Sequence, residues 1–208
     1  MILMATQELT KAERTRRFII ETAAPIFNKK GFAGTSLSDV TEAAGLTKGS
    51  IYGNFKNKDE LAMQVFDYNV NLVEQAFIDQ MAGAKTSIEK LMGYPLAYRK
   101  LFNTFMDNGG CPLINTLVEA DDTHEKLLKK ALDIIAHWKE TIAGIVEKGI
   151  VRGEIRRGVN PERIAELLIT LFEGGGILSK AAGDRSYFLT SLDHVESIIQ
   201  SLDVNYIA

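Results

Sequence analysis

The sequence predicts an all-α protein, and three observations predict it. Helix-capping motifs recur along the chain, apolar residues repeat at i, i+3 and i+4, and strand-length runs of alternating β-branched residues are absent. We read nine helices and no sheet, with a small three-helix head over residues 1–58 and a larger helical body over residues 59–208.

The first helix opens at Thr10, with Glu13 three residues on as a capping box, and stops at Gly31, where glycine tolerates a left-handed backbone. Ile19, Ala23 and Phe27 mark its buried face, and Pro25 inside it predicts a slight bend. Thr35 or Ser36 caps the second helix with Asp39, Gly45 ends it, and Thr47 caps the third. Asn57 with Glu60 starts a long fourth helix. Its apolar residues fall on two lines, Leu61, Val65, Tyr68, Leu72 and Phe66, Val70, Val73, Phe77, so it should be buried on two sides and bridge two parts of the molecule. The functional boundary is expected within that helix. Further helices are expected from about Ser87 to Met106, Cys111 to Ala120, Thr123 to Gly149, Pro161 to Ala182 and Arg185 to Leu202. Asp122 with Glu125, and Asn160 followed by Pro161, mark two of their starts.

Composition narrows the function classes. Hydrophobic residues make up 46% and charged residues 25%, the balance of a packed globular chain. The net charge of -3 hides an asymmetry, because the first 60 residues carry nine Lys/Arg against seven Asp/Glu while the remainder is acidic. A basic end suits contact with a polyanion. One cysteine, Cys111, excludes an intrachain disulfide and a cysteine zinc cage. His124, His137 and Glu119 match no helical metal spacing, so neither a metal nor a cofactor is expected. No apolar stretch approaches the roughly 18 residues of a membrane span, and Met1–Ala5 is too short for a signal segment. A cytoplasmic protein is expected.

The densest signal is TSLSDVTEAAGLTKGSIYGNFKNKDEL from Thr35 to Leu61. Val40, Ala44, Leu46, Ile51 and Phe55 can share one small core, and Gly45 permits the tight turn between two steeply crossing helices. With Ile51 inward, helical stepping puts Gly49 and Gly53 outermost on the third helix, flanked by Ser50 and Tyr52, with Lys48 and Asn54 nearer the edges. Two exposed helical glycines cost about 1 kcal/mol each against alanine, and close approach to a groove floor is a reason to keep them. The third helix fits a major groove about 12 Å wide, where Lys48 could donate to guanine and Ser50 to either base type. Thr35, Ser36, Tyr52 and Lys58 supply hydroxyl and ammonium donors for phosphates. The plainer reading is that two capped helices are packing units with solvated lysines.

From Gly31 the segment GFAGTSLSDVTEAAGLTKGSIYGNFKNKDEL resembles the N-terminal signature of the TetR family of bacterial regulators. The resemblance is dense over residues 14–66, and Thr47, Gly49, Tyr52, Phe55 and Lys58 carry it most recognisably. Asn54 stands where that family commonly has histidine or tyrosine, and Gly53 where a larger residue often sits. GCPLINTLVEADD from Gly110, GEIRRGVNPERIAELL from Gly153 and FEGGGILSKAAGD from Phe172 resemble its C-terminal portions more loosely. The resemblance implies a homeodomain-like helix-turn-helix head, a connecting helix, and a body that dimerises and binds an inducer. It implies that Ser36, Ser38 and the run Lys48 to Asn54 face double-stranded DNA, with Arg14, Arg16 and Arg17 near its backbone.

In the body, Ile164, Leu168, Leu171, Gly175, Leu178 and Ala182 follow 4-3-4-3-4 spacing, and Phe188, Leu192, Val195, Ile199 and Leu202 follow 4-3-4-3. Such seams pack helix on helix, either against a second copy in a four-helix bundle or against this chain's own core. The resemblance favours the homodimer. Gly174-Gly175-Gly176 points to a close helix contact or a kink. Tyr94, Tyr98, Phe102 and Phe105, with Met106, Cys111, Asn115 and Trp138 as neighbours, form a candidate pocket for an apolar or aromatic small molecule, or ordinary core. Cys111 could sense oxidants only with a stabilised thiolate, and a small buried hydrophobe is its commoner fate.

The leading expectation is therefore a repressor that binds a palindromic operator as a homodimer and is released by an inducer. A regulator without an effector, or an activator, stays open. An enzyme or carrier lacks support, because no phosphate loop, nucleophile–base pair or paired-carboxylate motif is present.

Overall fold

The computed structural model of the protein describes residues 9–207, so the expectation drawn from Met1–Ala5 lies outside the described residues. Among these there are nine helices: α1 (Lys11–Gly34), α2 (Leu37–Ala44), α3 (Lys48–Asn54), α4 (Lys58–Met81), α5 (Ser87–Asp107), α6 (Pro112–Ala120), α7 (Glu125–Arg152), α8 (Pro161–Ala182) and α9 (Ser186–Leu202). No helix of the described residues is long and apolar enough to cross a membrane.

Local chemistry sets most of the ends. The Thr10 and Ser36 hydroxyls accept the N–H groups of Glu13 and Asp39, whose carboxylates return the bond, and Thr47 accepts from Ser50 N. Asn160 caps α8 with Pro161 in its first turn, and Gly45, Gly153 and Gly183 end α2, α7 and α8 in the left-handed region. Gly31 breaks the helical path of α1 at φ 73°, after which one more turn runs to Gly34. Two expected ends moved. His124, not Asp122, caps α7, its Nδ1 accepting from Leu127 N at 3.1 Å. Gly149 does not stop α7, because it is a packing site. A Cβ there would lie 2.6 Å from Ile155 Cδ1 and 2.8 Å from Ser87 Cβ, so the bare backbone lets these side chains in.

The chain forms two compact units that divide between Asn69 and Val70, inside α4 and beyond the expected boundary at 58/59. The reason lies in α4's first turns: Leu61, Ala62 and Val65 complete one buried cluster with Ile19, Ala23, Ala24 and Phe27 of α1, Val40 of α2, Ile51 of α3, and Phe55. Ala44, expected in that cluster, is half-buried outside it. Leu72, expected on a buried line, is 52% exposed.

In the second unit α8 packs between α7 and α9, with α5 against both α7 and α9. Arg99 of α5 bonds Asp193 and Glu196 of α9 at 2.5 and 2.9 Å, and Lys139 of α7 bonds Glu166 of α8 at 2.6 Å. After α9 the chain returns alongside Glu154–Arg156, where Arg156 N donates to Leu202 O and Val204 N to Glu154 O. An isolated bridge joins Ile155 and Asp203.

The expected dimer seams need correction here. Phe188, Leu192, Val195 and Ile199, with Leu168, are 0–2% exposed within a single chain, so they belong to its own core. Gly175 is likewise internal: a Cβ would meet Ser191 Cβ at 2.6 Å, and the glycine allows α8 and α9 to touch backbone to side chain. Of the expected interface set, Leu171 is half-buried and Leu178 is 53% exposed. Leu171 and Leu178 fall on a different line of α8, with Leu167 and Gly174, that faces away from the core.

These glycines give a contrast in thermal unfolding. Gly175→Ala should destabilise by about 1–3 kcal/mol through overpacking, because Ser191 cannot retreat. Gly144→Ala in α7, whose added Cβ meets nothing within 4 Å, should be neutral or stabilise by up to about 1 kcal/mol.

Candidate nucleic-acid interface and body cavity

The first unit builds one outward surface on α3. Ile51 and Phe55, 1% and 2% exposed, anchor the helix, which turns Lys48, Gly49, Tyr52 and Gly53 outward, with Ser50 and Asn54 half-buried at the flanks. Tyr52 is 58% exposed although large and aromatic. A Cβ on Gly53 would meet nothing within 4 Å and one on Gly49 only Thr47 Oγ1 at 3.7 Å, so no contact inside the chain requires either glycine. Ser38 is exposed on α2 and Ser36 at its start. Ser36 Oγ donates to Asp39 Oδ2 at 2.6 Å, while Asn54 Nδ2 donates to Ser50 O at 2.8 Å.

Three residues expected on the phosphates are turned to other tasks. Thr35 is 1% exposed and its hydroxyl donates to Gly31 O at 2.7 Å, closing the break in α1. Lys58 Nζ donates to Phe32 O at 2.7 Å and Thr35 O at 3.1 Å, and lies 4.1 Å from the centre of the Phe32 ring. Arg16 bonds Glu60 Oε1 at 2.5 Å and Gln64 Oε1 at 3.2 Å, with its guanidinium 4.2 Å from the centre of the Phe55 ring. Arg14 and Arg17 bond Leu9 O and Glu21. Arg16 and Lys58 thus meet a carboxylate, carbonyls and aromatic faces from segments far along the chain, which sequence spacing does not reveal. The Lys56 N–H and then the Arg16 guanidinium hold the Glu60 carboxyl below its ordinary range. Lys30 and then Ser36 do the same for Asp39.

The second unit holds a cavity of about 290 Å³ that opens to solvent on one side, where the exposed Glu74, Ile78 and His137 line it. Of the expected lining, Tyr94, Tyr98, Cys111 and Trp138 reach it. Phe102, Phe105, Met106 and Asn115 do not. Phe102 stacks on Phe188 at 5.6 Å under Arg185, and Phe105 packs behind Tyr98 at 5.9 Å. Met106 is half-buried off the cavity wall, and Asn115 ties Gly109 O to Lys180. The sequence reading missed Val70, Val73 and Phe77 of α4, His137 of α7 and Glu173 of α8, which also line the cavity. Phe77 stacks on Trp138 at 5.8 Å and meets Tyr94 edge-on at 4.9 Å. A signal for Glu173 was available, since it continues the buried line Ala165–Ile169 at i+4 spacing and so places a carboxyl on an apolar face.

Glu173 is 7% exposed and its Oε1 accepts from the Tyr98 hydroxyl at 3.2 Å and the Cys111 thiol at 3.3 Å. Burial raises its pKa to about 7, partly offset by these two donors. Burial also pushes the Tyr98 phenol and the Cys111 thiol well up, which leaves Cys111 without the stabilised thiolate that redox sensing needs. The Trp138 indole N–H, near the Tyr94 hydroxyl, meets no acceptor in hydrogen-bond geometry. Among the described residues no three or more His, Cys, Asp and Glu are grouped to hold a metal ion.

A helix-turn-helix unit with an open glycine-bearing face, joined in one chain to a helical unit with a partly open apolar cavity, defines a DNA-binding transcriptional regulator rather than an enzyme. Residues 19–65 match the family of bacterial regulatory proteins, tetR family, and residues 87–195 match the tetracyclin repressor-like C-terminal domain. The chain belongs to the TetR family. It is 43% identical to a TetR-family transcriptional regulator from Cytophaga hutchinsonii, with a TM-score of 0.89 over 96% of this chain and 100% of that one. It is 34% identical to a TetR transcriptional regulator from Chloroflexus aurantiacus J-10-FL, with a TM-score of 0.86 over 94% and 98% of the two chains. Among curated relatives, the HTH-type transcriptional repressor DhaR of Mycobacterium sp. (strain GP1) is 26% identical over 82% of this chain and 84% of its own.

The raised pKa of Glu173 fixes the sign of a pH effect. The protonated carboxyl is the form the fold favours, so its contribution is full below the ordinary pKa of 4.5 and is lost as pH rises through about 7. Glu173→Gln, which keeps an acceptor for Tyr98 and Cys111, should stabilise the protein at pH 8 by about 2–4 kcal/mol and leave it nearly unchanged at pH 4. Denaturant unfolding at the two pH values measures this.

Proposed function

We propose that the protein is a cytoplasmic homodimeric repressor that binds a two-fold symmetric operator and leaves it when a small apolar or aromatic molecule occupies the body cavity. The observation that carries this reading is the division of α4. Its first turns place Leu61, Ala62 and Val65 in the head's buried cluster, and its later turns place Val70, Val73 and Phe77 on the cavity wall. A ligand that favours one position of that wall biases the helix the head is built on. It shifts the DNA equilibrium only by its difference in affinity between the two states, since equal affinity for both shifts nothing. The name of the relative DhaR, a transcriptional repressor, supports repression as the sign.

Base reading falls to Lys48 and Ser50 on α3, with Gly49 and Gly53 letting the helix approach the groove floor and Tyr52, Ser36 and Ser38 holding phosphates. Thr47 and Asn54 stay with the α3 ends, as cap and edge. Arg16, Thr35 and Lys58 act by building the platform. The dimer is assigned to the outward stripe Leu167, Leu171, Gly174 and Leu178 of α8, beside the exposed Tyr187, Thr190 and His194 of α9. Two such pairs form a four-helix bundle, and Gly174, whose added Cβ meets nothing inside the chain, leaves room for the second copy.

Footprinting on DNA selected from a random pool tests the reading, and a footprint without two-fold symmetry contradicts it. Lys48→Ala should cost about 1–3 kcal/mol at one position of each half-site and relax the base preference there. Lys58→Ala should lower the melting temperature and leave the salt dependence of binding unchanged, because its ammonium is committed to Phe32 O and Thr35 O. In sedimentation, Leu171→Glu with Leu178→Glu should give folded monomers. Val195→Glu, whose site is fully buried, should instead unfold the chain.

A further inference from the structure

The wall of the body cavity is mostly apolar and aromatic, holds two carboxylates, and among the described residues carries no lysine or arginine. One of its polar groups is incompletely used. Glu173 takes both of its donors, Tyr98 Oη and Cys111 Sγ, on Oε1, so among the described residues no donor meets Oε2. A second carboxylate, Glu74, lines the cavity and is exposed to solvent, and His137 is the one imidazole on the wall. A carboxyl held in an apolar enclosure gains most from a partner that brings positive charge and an N–H donor together, and the faces of Phe77, Tyr94 and Trp138 attract the same charge.

We propose that the cavity selects a small aromatic amine, bound as its ammonium against Glu173 Oε2, with its ring against Phe77, Tyr94 and Trp138. This deepens the reading of the cavity as the effector site and rests on it. The cavity, near the lower end of the roughly 300–1,000 Å³ usual for ligand sites, suits a single ring with a short arm. Carboxylates are rejected, because a second anion beside Glu173 would have no cation on the wall to pair with. The titratable groups facing Glu173 and the cavity are Tyr94 and Tyr98 of α5, Cys111 before α6, His137 of α7 and Glu74 of α4, and none comes from α9. The ammonium binds the ionised carboxylate, so its affinity rises as Glu173 deprotonates, by about tenfold between pH 6 and pH 8 for a group that titrates near 7.

The test uses three compounds of one shape: 2-(4-methoxyphenyl)ethylamine, 2-(4-methoxyphenyl)ethanol and 3-(4-methoxyphenyl)propanoate. Trp138 is the chain's single tryptophan, so its emission reports occupancy of the cavity directly. With the full chain at pH 8, the amine should bind at least about tenfold more tightly than the alcohol, and the propanoate should not bind. Glu173→Gln should reduce the amine to the level of the alcohol and leave the alcohol unchanged. Should that variant fail to fold, the pH dependence in the native chain decides, since only the amine should gain affinity from pH 6 to pH 8. An alcohol or propanoate that binds as tightly as the amine overturns the charge assignment and leaves the effector site standing. Silence of all three at millimolar concentration removes the effector site itself.

Discussion

The structure depends on one constraint, that the apolar residues of a single helix are divided between two hydrophobic cores. Leu61 and Val65 of α4 are 0% and 1% exposed in the head, while Val70 and Phe77 are 7% and 9% exposed in the body. Without α4's first turns, Ile19, Phe27 and Phe55 would lack one side of their enclosure. Without its later turns, the body cavity would lack a wall. Interiors packed to near-crystalline density do not absorb small displacements by yielding evenly, so a shift of such a helix is felt wherever its side chains are buried. That property ties α4's packing in the head to its packing in the body through one continuous helix.

Around that helix the head divides its cations by task. Arg16 and Lys58 lie within reach of carboxylates, carbonyls and aromatic faces, and there they hold α1, α3 and α4 in register. Lys48 keeps its exposure, on a short helix whose outer line is otherwise glycine and tyrosine. The result is a well-anchored helix with a bare outer face.

The body shows a different economy, in which burial creates the chemistry. Glu173 on α8 would be an ordinary carboxylate in water, but enclosed beside Tyr98 and Cys111 it titrates near neutrality. The same burial disfavours the Cys111 thiolate and shuts the Trp138 N–H off from solvent. Gly175 serves the same compactness by letting α9 lie close on α8, which buries Phe188, Leu192 and Val195 inside one chain.

What the sequence by itself determined is local. The caps at Thr10, Ser36, Thr47 and Asn160, the stops at Gly45 and Gly183, the inward Ile51 and the outward Tyr52 follow from hydrogen bonds and helical periodicity within a few residues. Tertiary structure decided which of two apolar lines on α8 and α9 faces the chain's own core, because 4-3 spacing describes a buried seam without naming its partner. It also decided that Arg16 and Lys58 turn inward, that α4 belongs to the head as far as Asn69, and that Phe77 and Glu173 share a cavity wall with Tyr94. Those outcomes depend on groups tens of residues apart in the chain, and periodicity carries no record of which distant atoms a side chain will meet.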